Sequence, residues 1–340
     1  MNINKIKLSI PVDRNSDAGH FLSDDNIVNI YAKIPGNFLE STGVKDSINR
    51  YVNAAHNHGI SFTFLMDVTC LNNLEWTRSG QRRIRVFLDN LVSWGVDAVS
   101  VSMPYFVELI KKQYPKVTIE ISSNAEVDNI QRAKRWEDLG ADIITLASYK
   151  VNRNFALLEG VRSNVKCDLQ LVANHCCLNN CVNHGFHSNL AAHLTGQSFA
   201  VDNAGIFYGL KCLEERSRTG FDIISSQWIR PEDIKYYEGI GINRLQLLGD
   251  SLNSGDSVEI INAYSKRCYA GNLIKLFPDF PRCALHHEGG ASPGVFINNS
   301  DLDGFMEHFL EGKCRGLCGE CRYCEDIAGK VVHFAGARNG

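Results

Sequence analysis

The sequence predicts an α/β protein, a (β/α)8 barrel followed by a cysteine-rich C-terminal extension. Three observations predict it. Short β-branched runs recur up to about residue 250, stretches of helical period separate them, and polar or thiol side chains collect just behind the runs. Eight such units favour a closed barrel over the alternative, a doubly wound open sheet whose crossovers have the same hand.

The runs are "IKLSIP" at 6–11, "IVNIYAKI" at 27–34, "SFTFLMDV" at 61–68, "DAVSVSMP" at 97–104, "TIEISS" at 118–123, "DIITLAS" at 142–148, "DLQLVAN" at 168–174 and "RLQLLGD" at 244–250. Between them, "VKDSINRYVNAAHNHG", "SGQRRIRVFLDNLVSWG" and "EVDNIQRAKRWEDLG" have helical period, and each ends on a glycine that can take a left-handed cap. In a barrel, active sites form at the C-terminal ends of the strands, in the loops that lead to the helices. Asp67 and Cys70 close the third run, Ser102 and Pro104 the fourth, Ser122, Ser123 and Asn124 the fifth, Ser148 the sixth, and Asn174 through Cys181 the seventh.

The seventh connection carries an insertion at about 182–243, which reads as a lid or side wall over the barrel mouth. It contains "NLAAHLTG" as a helical turn, then Cys212, then a helix whose capped start runs from Ser226 to Pro231. The barrel with this insertion spans 1–270 and the C-terminal extension 271–340. After the eighth run, "SVEIINAYSKRCYAGNLIKLF" reads as one more amphipathic helix and "FPDFPRCALHHEGGASPG" as irregular. The extension closes with a helix, a tight cysteine run and another helix.

The 340 residues carry a formal charge of −3 with both signs interspersed, so there is no basic field and no direct nucleic-acid signature. No apolar run approaches the roughly 18 residues of a membrane span, and "MNINKIKLSIPVDRNSD" has no apolar export segment. A cytoplasmic protein without a membrane partner is therefore expected. In that compartment thiols stay reduced, so twelve cysteines point to metal or redox chemistry rather than to disulfides.

Cys314, Cys318, Cys321 and Cys324 form a C-x3-C-x2-C-x2-C run with Gly316 and Gly319 between the thiols. Four thiolates so close can wrap one ion or one cluster. Closely spaced cysteines recur in iron–sulfur ligation, whereas structural zinc sites usually pair two knuckles across a longer spacer. A [4Fe–4S] cluster is the expected occupant, with zinc as the alternative. A second centre is expected at Cys177 and Cys181, with Cys212 as third ligand and Cys176, Cys70, Cys268 or His187 as fourth. Cys167 and Cys283 read as ordinary buried thiols.

The candidate catalytic residues are Asp67, Asn174, His175 and His187. Glu75, Ser102 and Asn124 could join them in binding substrate or simply cap the following helices. A different chemistry would use Cys176 or Cys177 as a nucleophile activated by His184 or His187. Arg230 and Glu232 read as part of a helix start. "YAGNLIKLF" and "FINNSDLDGF" lack any phosphate-loop or dinucleotide pattern.

Several segments together resemble the collagenase-like peptidases of unknown catalytic type, the U-thirty-two family. They are "LVANHCCLNNC", "SSQWIRPEDIKYYEGIGINRLQLLG", "AYSKRCYAGNLIKL" and "CRGLCGECRYC", and the similarity extends from "YAKIPG" to "IAGKVV". The resemblance implies a TIM-like barrel. It also implies kinship with oxygen-independent hydroxylases of ubiquinone biosynthesis and RNA modification, which hold a [4Fe–4S] cluster and for which prephenate is the implied oxygen donor. On that resemblance Cys177, Cys181 and Cys212 fall on ligand positions. Two departures stand out: Asn174, His175 and Cys176 replace a frequent Asn-Glu-Gly, and Asp250 follows Gly249 where many members have a basic residue.

The resulting expectation is an iron–sulfur tailoring enzyme, an oxygen-independent hydroxylase or related oxidoreductase acting on a small molecule, a peptide or RNA. Its expected partners are that substrate, an electron-donor protein and a second subunit, in a homo- or heterodimer. The alternatives are a peptidase or other hydrolase, and a non-catalytic cluster-binding subunit.

Overall fold

The computed structural model describes residues 5–12, 21–32, 39, 44–194, 208, 211–212, 215–216, 220–249, 255–278, 280 and 294–334. Cys283, Asp250 and much of the insertion in the seventh connection lie outside the described residues.

Eight strands close into a parallel barrel in simple sequence order. They are β1 (Lys7–Pro11), β2 (Ile27–Ala32), β3 (Ser61–Met66), β4 (Ala98–Val101), β5 (Thr118–Ile121), β6 (Ile143–Thr145), β7 (Asp168–Val172) and β8 (Arg244–Gln246). Pairing of Lys7–Ser9 with Arg244–Gln246 shuts the sheet. The strands read as near-continuous apolar runs because helices cover the outside, so both faces are buried.

The helices outside are α1 (Val44–Asn57), α2 (Arg78–Ser93), α3 (Pro104–Gln113), α4 (Ile130–Leu139), α5 (Ser148–Val151) and α6 (Phe155–Asn164). Local chemistry sets their ends. Thr77, Asn129 and Asn154 accept hydrogen bonds from the backbone N–H groups of Gly80, Arg132 and Leu157 at 2.9–3.1 Å, which satisfies donors the first helical turn leaves open. The expected glycine stops are present: Gly59, Gly95 and Gly140 follow α1, α2 and α4 at positive φ. At Gly140, with φ of 110°, a Cβ would meet the Lys111 side chain at 2.9 Å, so glycine is required twice over.

Two expected elements differ. The helix start from Ser226 to Pro231 is instead an extended, buried stretch. Ser226 Oγ donates backwards to Asp222 O, Ile229 N donates to Ala173 O at 2.8 Å, and helical structure begins only at Pro231. Pairing with the end of β7 wins over local capping. Likewise, residues 257–277 are not one helix. The helix Gly255–Lys266 stops where Arg267 takes a φ of 57°, and a short 3-10 helix, Leu273–Leu276, follows with Asn272 as its cap.

The C-terminal extension packs on the seventh connection. Arg230, buried, donates to Asn299 O at 2.8 Å and pairs with Asp233 and Asp303 at 3.2 and 2.9 Å, while Asn299 donates to Glu232 at 3.0 Å. Arg230 and Glu232 therefore work as structural ties. The strand Val295–Phe296 pairs antiparallel with His333–Phe334. Among the described residues no helix is long and apolar enough to cross a membrane.

The barrel interior departs from the usual filling of Val, Ile and Leu layers. Ser9, Asn29, Thr63, Glu120, Thr145 and Gln170 are all buried within it. Gln170 donates to Glu120 at 2.8 Å and to Thr145 at 3.0 Å, Ser9 Oγ donates to Gln170 Oε1 at 3.3 Å, and Asn29 bridges Ser9 and Thr63. A carboxylate this deep is desolvated, and burial pushes Glu120 up to about 7 against the opposing pull of Arg244.

This sets a pH signature. The folded state prefers the neutral carboxyl. Its stabilising contribution is therefore complete below the ordinary value of 4.5 and is lost as pH rises through about 7. The loss is on the order of 3 kcal/mol at most. Urea unfolding near pH 5 and near pH 8 should show the wild type losing stability across that interval relative to Glu120→Gln; parallel pH profiles would contradict the account.

Candidate functional site

The thiols at the end of β7 are delivered by a tight turn. Asn180 takes a φ of 52°, its N–H donates to Tyr149 O, and the helix α7 (His184–Leu194) begins three residues after Cys181. The Cys177 thiol hydrogen-bonds the Cys181 sulfur, and the N–H groups of Asn183 and His184 also point at that sulfur. These bonds, with the Arg216 charge adding to them, outweigh burial and bring Cys181 down to about 6. A thiolate at a helix N-terminus is the expected product of such geometry.

The charged form of Cys181 is therefore favoured, with Cys177 bonded to it. Cys176 has no such place: it is fully buried and belongs to the apolar core. Cys212 and Cys70 are half-buried and Cys268 exposed. Cys167 is pushed up to about 12 by burial and by Glu137, the behaviour of a packed thiol. Among the described residues, no three Cys, His, Asp or Glu side chains already stand at metal-bonding geometry.

Around the mouth, Asp67 gathers the ends of β3, β4 and β5. Ser102 Oγ donates to its carbonyl at 3.0 Å, and Asn124 Nδ2 donates to its carbonyl and to Oδ2 at 3.1 and 3.2 Å. Glu75 is buried and accepts from Leu71 N, and Ser148 accepts from Val172 N at 2.8 Å while donating to Leu146 O. Both are fully engaged with backbone. The helix α7 lies across this rim, since Asn189 accepts from Thr69 in the β3 loop and His184 reaches Glu126 in the β5 loop.

His184 forms a cluster that sequence reading missed. Its ring stacks on Tyr149 at 3.8 Å, its Nδ1 lies 3.1 Å from Glu126, and Tyr149 OH donates to the same carboxylate oxygen at 3.0 Å. Burial works against the Glu126 carboxylate, but the bonds from His184 and Tyr149 hold it below its ordinary value. Burial pushes His184 down, against the opposing pull of the Glu126 bond. His187, by contrast, is exposed and stacks on Tyr208 at 5.4 Å, and His175 is half-buried. Only the spacing of Glu126, Tyr149 and His184 behind strands 5, 6 and 7 could have pointed to this cluster.

Asn174 lies at the end of β7 but faces away from solvent. Its Nδ2 donates to Leu248 O at 2.9 Å and Leu276 O at 3.0 Å, and its Oδ1 accepts from Leu248 N at 2.7 Å. The side chain clamps β7 to the segment after β8 and to the start of the extension.

The four C-terminal thiols surround one pocket, with Cys318 and Cys321 on a single helical turn, Cys318–Cys321. His308 and Tyr323, stacked at 3.9 Å, form another wall, and Cys321 lies 3.3 Å from His308 Nε2. Burial, and then repulsion from the neighbouring thiolates, pushes Cys318 up and Cys324 up to about 11. The free thiols therefore hold their protons, and a cation among the sulfurs would draw those protons off and favour the thiolates. The donor set therefore fits a thiolate-bound metal or cluster.

A cleft joins the two constellations. Asn179 and Asn180, between Cys177 and Cys181, form one wall, and Cys314, Arg315 and Gly316 form the other, with Lys150 between them.

The sequence profile of peptidase family U32 matches residues 40–155. A protein of Methanocaldococcus jannaschii described as an uncharacterized protease is 32% identical over 288 residues, covering 84% of this chain and 82% of that protein. Among solved structures, the U32 peptidase Mk0906 aligns with a TM-score of 0.52 at 22% identity, over 73% of this chain and 93% of its own. That likeness is one of fold.

Replacing Asn174 by Ala strips partners from one buried N–H and two carbonyls. The expected cost is about 3 kcal/mol of unfolding free energy, read from the urea midpoint. An unchanged midpoint would show that the clamp is dispensable.

Proposed function

The chain belongs to peptidase family U32, and on that premise we propose that it is an iron–sulfur enzyme that carries out an oxygen-independent hydroxylation or related redox modification. The substrate, a small molecule, a peptide or an RNA group, would bind at the barrel mouth and in the cleft beside it. One observation carries this reading: Cys314, Cys318, Cys321 and Cys324 line one pocket, and Cys314 shares a neighbouring cleft with Asn179 and Asn180 of the loop that holds Cys177 and Cys181.

The C-terminal four thiols would hold one cluster. Cys177 and Cys181 would supply half of a second, with Cys212 as third ligand and Cys176, Cys70, Cys268 or His187 as fourth. A bound cluster supplies one-electron transfer at potentials tuned by hydrogen bonds and burial. The chain's own residues do the rest. The Asn183 and His184 N–H groups keep Cys181 deprotonated and ready to ligate, and α7 covers the rim and limits water. Asp67, steadied by Asn124, offers a carboxylate to a hydroxyl or amine at the mouth.

A second reading, hydrolysis, is favoured by one observation, the Cys181 thiolate at the head of α7. Its natural base would be His184, whose Nδ1 is held by Glu126 and whose Nε2 is left for the proton. A hydrolase of this kind would turn over without iron.

Protein purified without oxygen should absorb near about 400 nm and contain iron and sulfide. Cys177→Ala or Cys181→Ala should remove part of the iron and leave the remainder, whereas Cys318→Ala should remove the complementary part. A colourless protein holding only zinc would overturn the proposal, and full activity in an iron-free protein would establish the hydrolase.

A further inference from the structure

Arg153, between α5 and α6, is 3% exposed, and its guanidinium is surrounded by aromatic faces: Trp228 at 4.2 Å, Phe305 at 4.8 Å and Phe309 at 5.3 Å. One terminal nitrogen donates to Ile224 O at 2.6 Å and the other to Trp228 O at 3.3 Å, while Nε has no partner. Among the described residues no carboxylate forms an ion pair with it, and the nearby Asp233 is taken by Arg230 at 3.2 Å. Carbonyls and ring faces are weak compensation for a full charge held out of water. The site as it stands is one anion short.

The four-thiol pocket is adjacent: Phe309, 5.3 Å from the guanidinium, also lines the pocket of Cys314, Cys318, Cys321 and Cys324. Of the groups that favour the Arg153 charge Cys324 ranks first, ahead of Tyr237, Asp233 and Cys176. The path to Cys324 is short, because Tyr323 stacks on Phe305 at 5.7 Å, and Phe305 lies under the guanidinium. Arg153 also shares the wall of the cleft with Cys314 and Gly316. Four thiolates around a zinc ion or a [4Fe–4S] core carry more negative charge than the metal cancels, so the assembled centre is an anion. A guanidinium, weakly hydrated and with directional N–H groups, is well suited to sit beside it.

We propose that Arg153 is the buried counter-charge of a metal centre formed by Cys314, Cys318, Cys321 and Cys324, so that metal binding and the seating of the C-terminal segment on the barrel are one event. This rests on the reading of those four thiols as a metal site. In the metal-free chain the buried cation opposes docking; in the loaded chain the same cation holds the centre against Trp228, Phe305 and Phe309. Arg153 is thus a positioning residue.

The test uses full-length protein in a Cys177→Ala, Cys181→Ala background, which leaves the C-terminal thiols to titrate. Zinc alone is added under argon in competition with a chromophoric chelator. Arg153→Met should lower zinc affinity by about 10- to 100-fold, and Arg153→Lys, which keeps the charge, should recover most of it. Equal affinity in all three proteins would overturn the proposal. A second measurement needs no variant at Arg153: the Arg153 Nε–H resonance should shift and gain protection from exchange as zinc saturates. A resonance that stays put while zinc binds also overturns it. Absence of any zinc or iron binding by the four thiols refutes the underlying metal reading instead, and the two failures are distinguishable.

Discussion

The backbone hydrogen bonds between Lys7–Ser9 and Arg244–Gln246 join the first strand to the last, and the rest of the molecule depends on that closure. An open sheet of eight parallel strands would leave two rows of unpaired N–H and C=O groups and would splay the strand ends apart. Closed, it brings the ends of all eight to one rim. Asp67, Ser102 and Asn124 meet there although 57 residues separate the outer two. The same closure puts a polar layer around Glu120 on the axis, where each side chain finds partners on neighbouring strands.

A second constraint follows from the seventh strand. Its end must bond to something, and it bonds to the returning chain: Ile229 pairs with Ala173, and Asn174 holds Leu248 and Leu276. This fastens the long connection and the extension to one side of the mouth. Trp228 stacks on Phe277 and Phe305 there at 5.7 Å, building the aromatic bed on which Arg153 lies. Asn179 and Asn180 in the loop after β7 and Cys314 of the extension thereby line one cleft, although more than 130 residues lie between the two segments in sequence.

Much of this was legible in the sequence, for reasons that are local. All eight strands were marked by β-branched runs, and α1, α2 and α4 were marked by their final glycines. Both cysteine constellations announced themselves by spacing. What was illegible is non-local. Ser226 and Pro231 look like a helix start in isolation, but Ala173, just past the end of β7, claims Ile229 between them. Arg267 gives no hint of its left-handed turn. Asn174 reads as an exposed strand-end amide until Leu248 and Leu276 fold over it. Arg153 sits in "YKVNRNFALL" with nothing to show that Trp228, Phe305 and Phe309 will enclose it. Glu120 is a lone charge within "TIEISS", and only the closed barrel shows that its carboxyl is buried among Gln170 and Thr145.

The central proposal is that two thiolate centres, one at the end of β7 and one in the extension, hold iron. Its most direct measurement is anomalous diffraction from crystals grown without oxygen, recorded on both sides of the iron absorption edge. The account predicts iron peaks beside Cys177 and Cys181 and within the ring of Cys314, Cys318, Cys321 and Cys324. Maps with no iron peak at either position would contradict it.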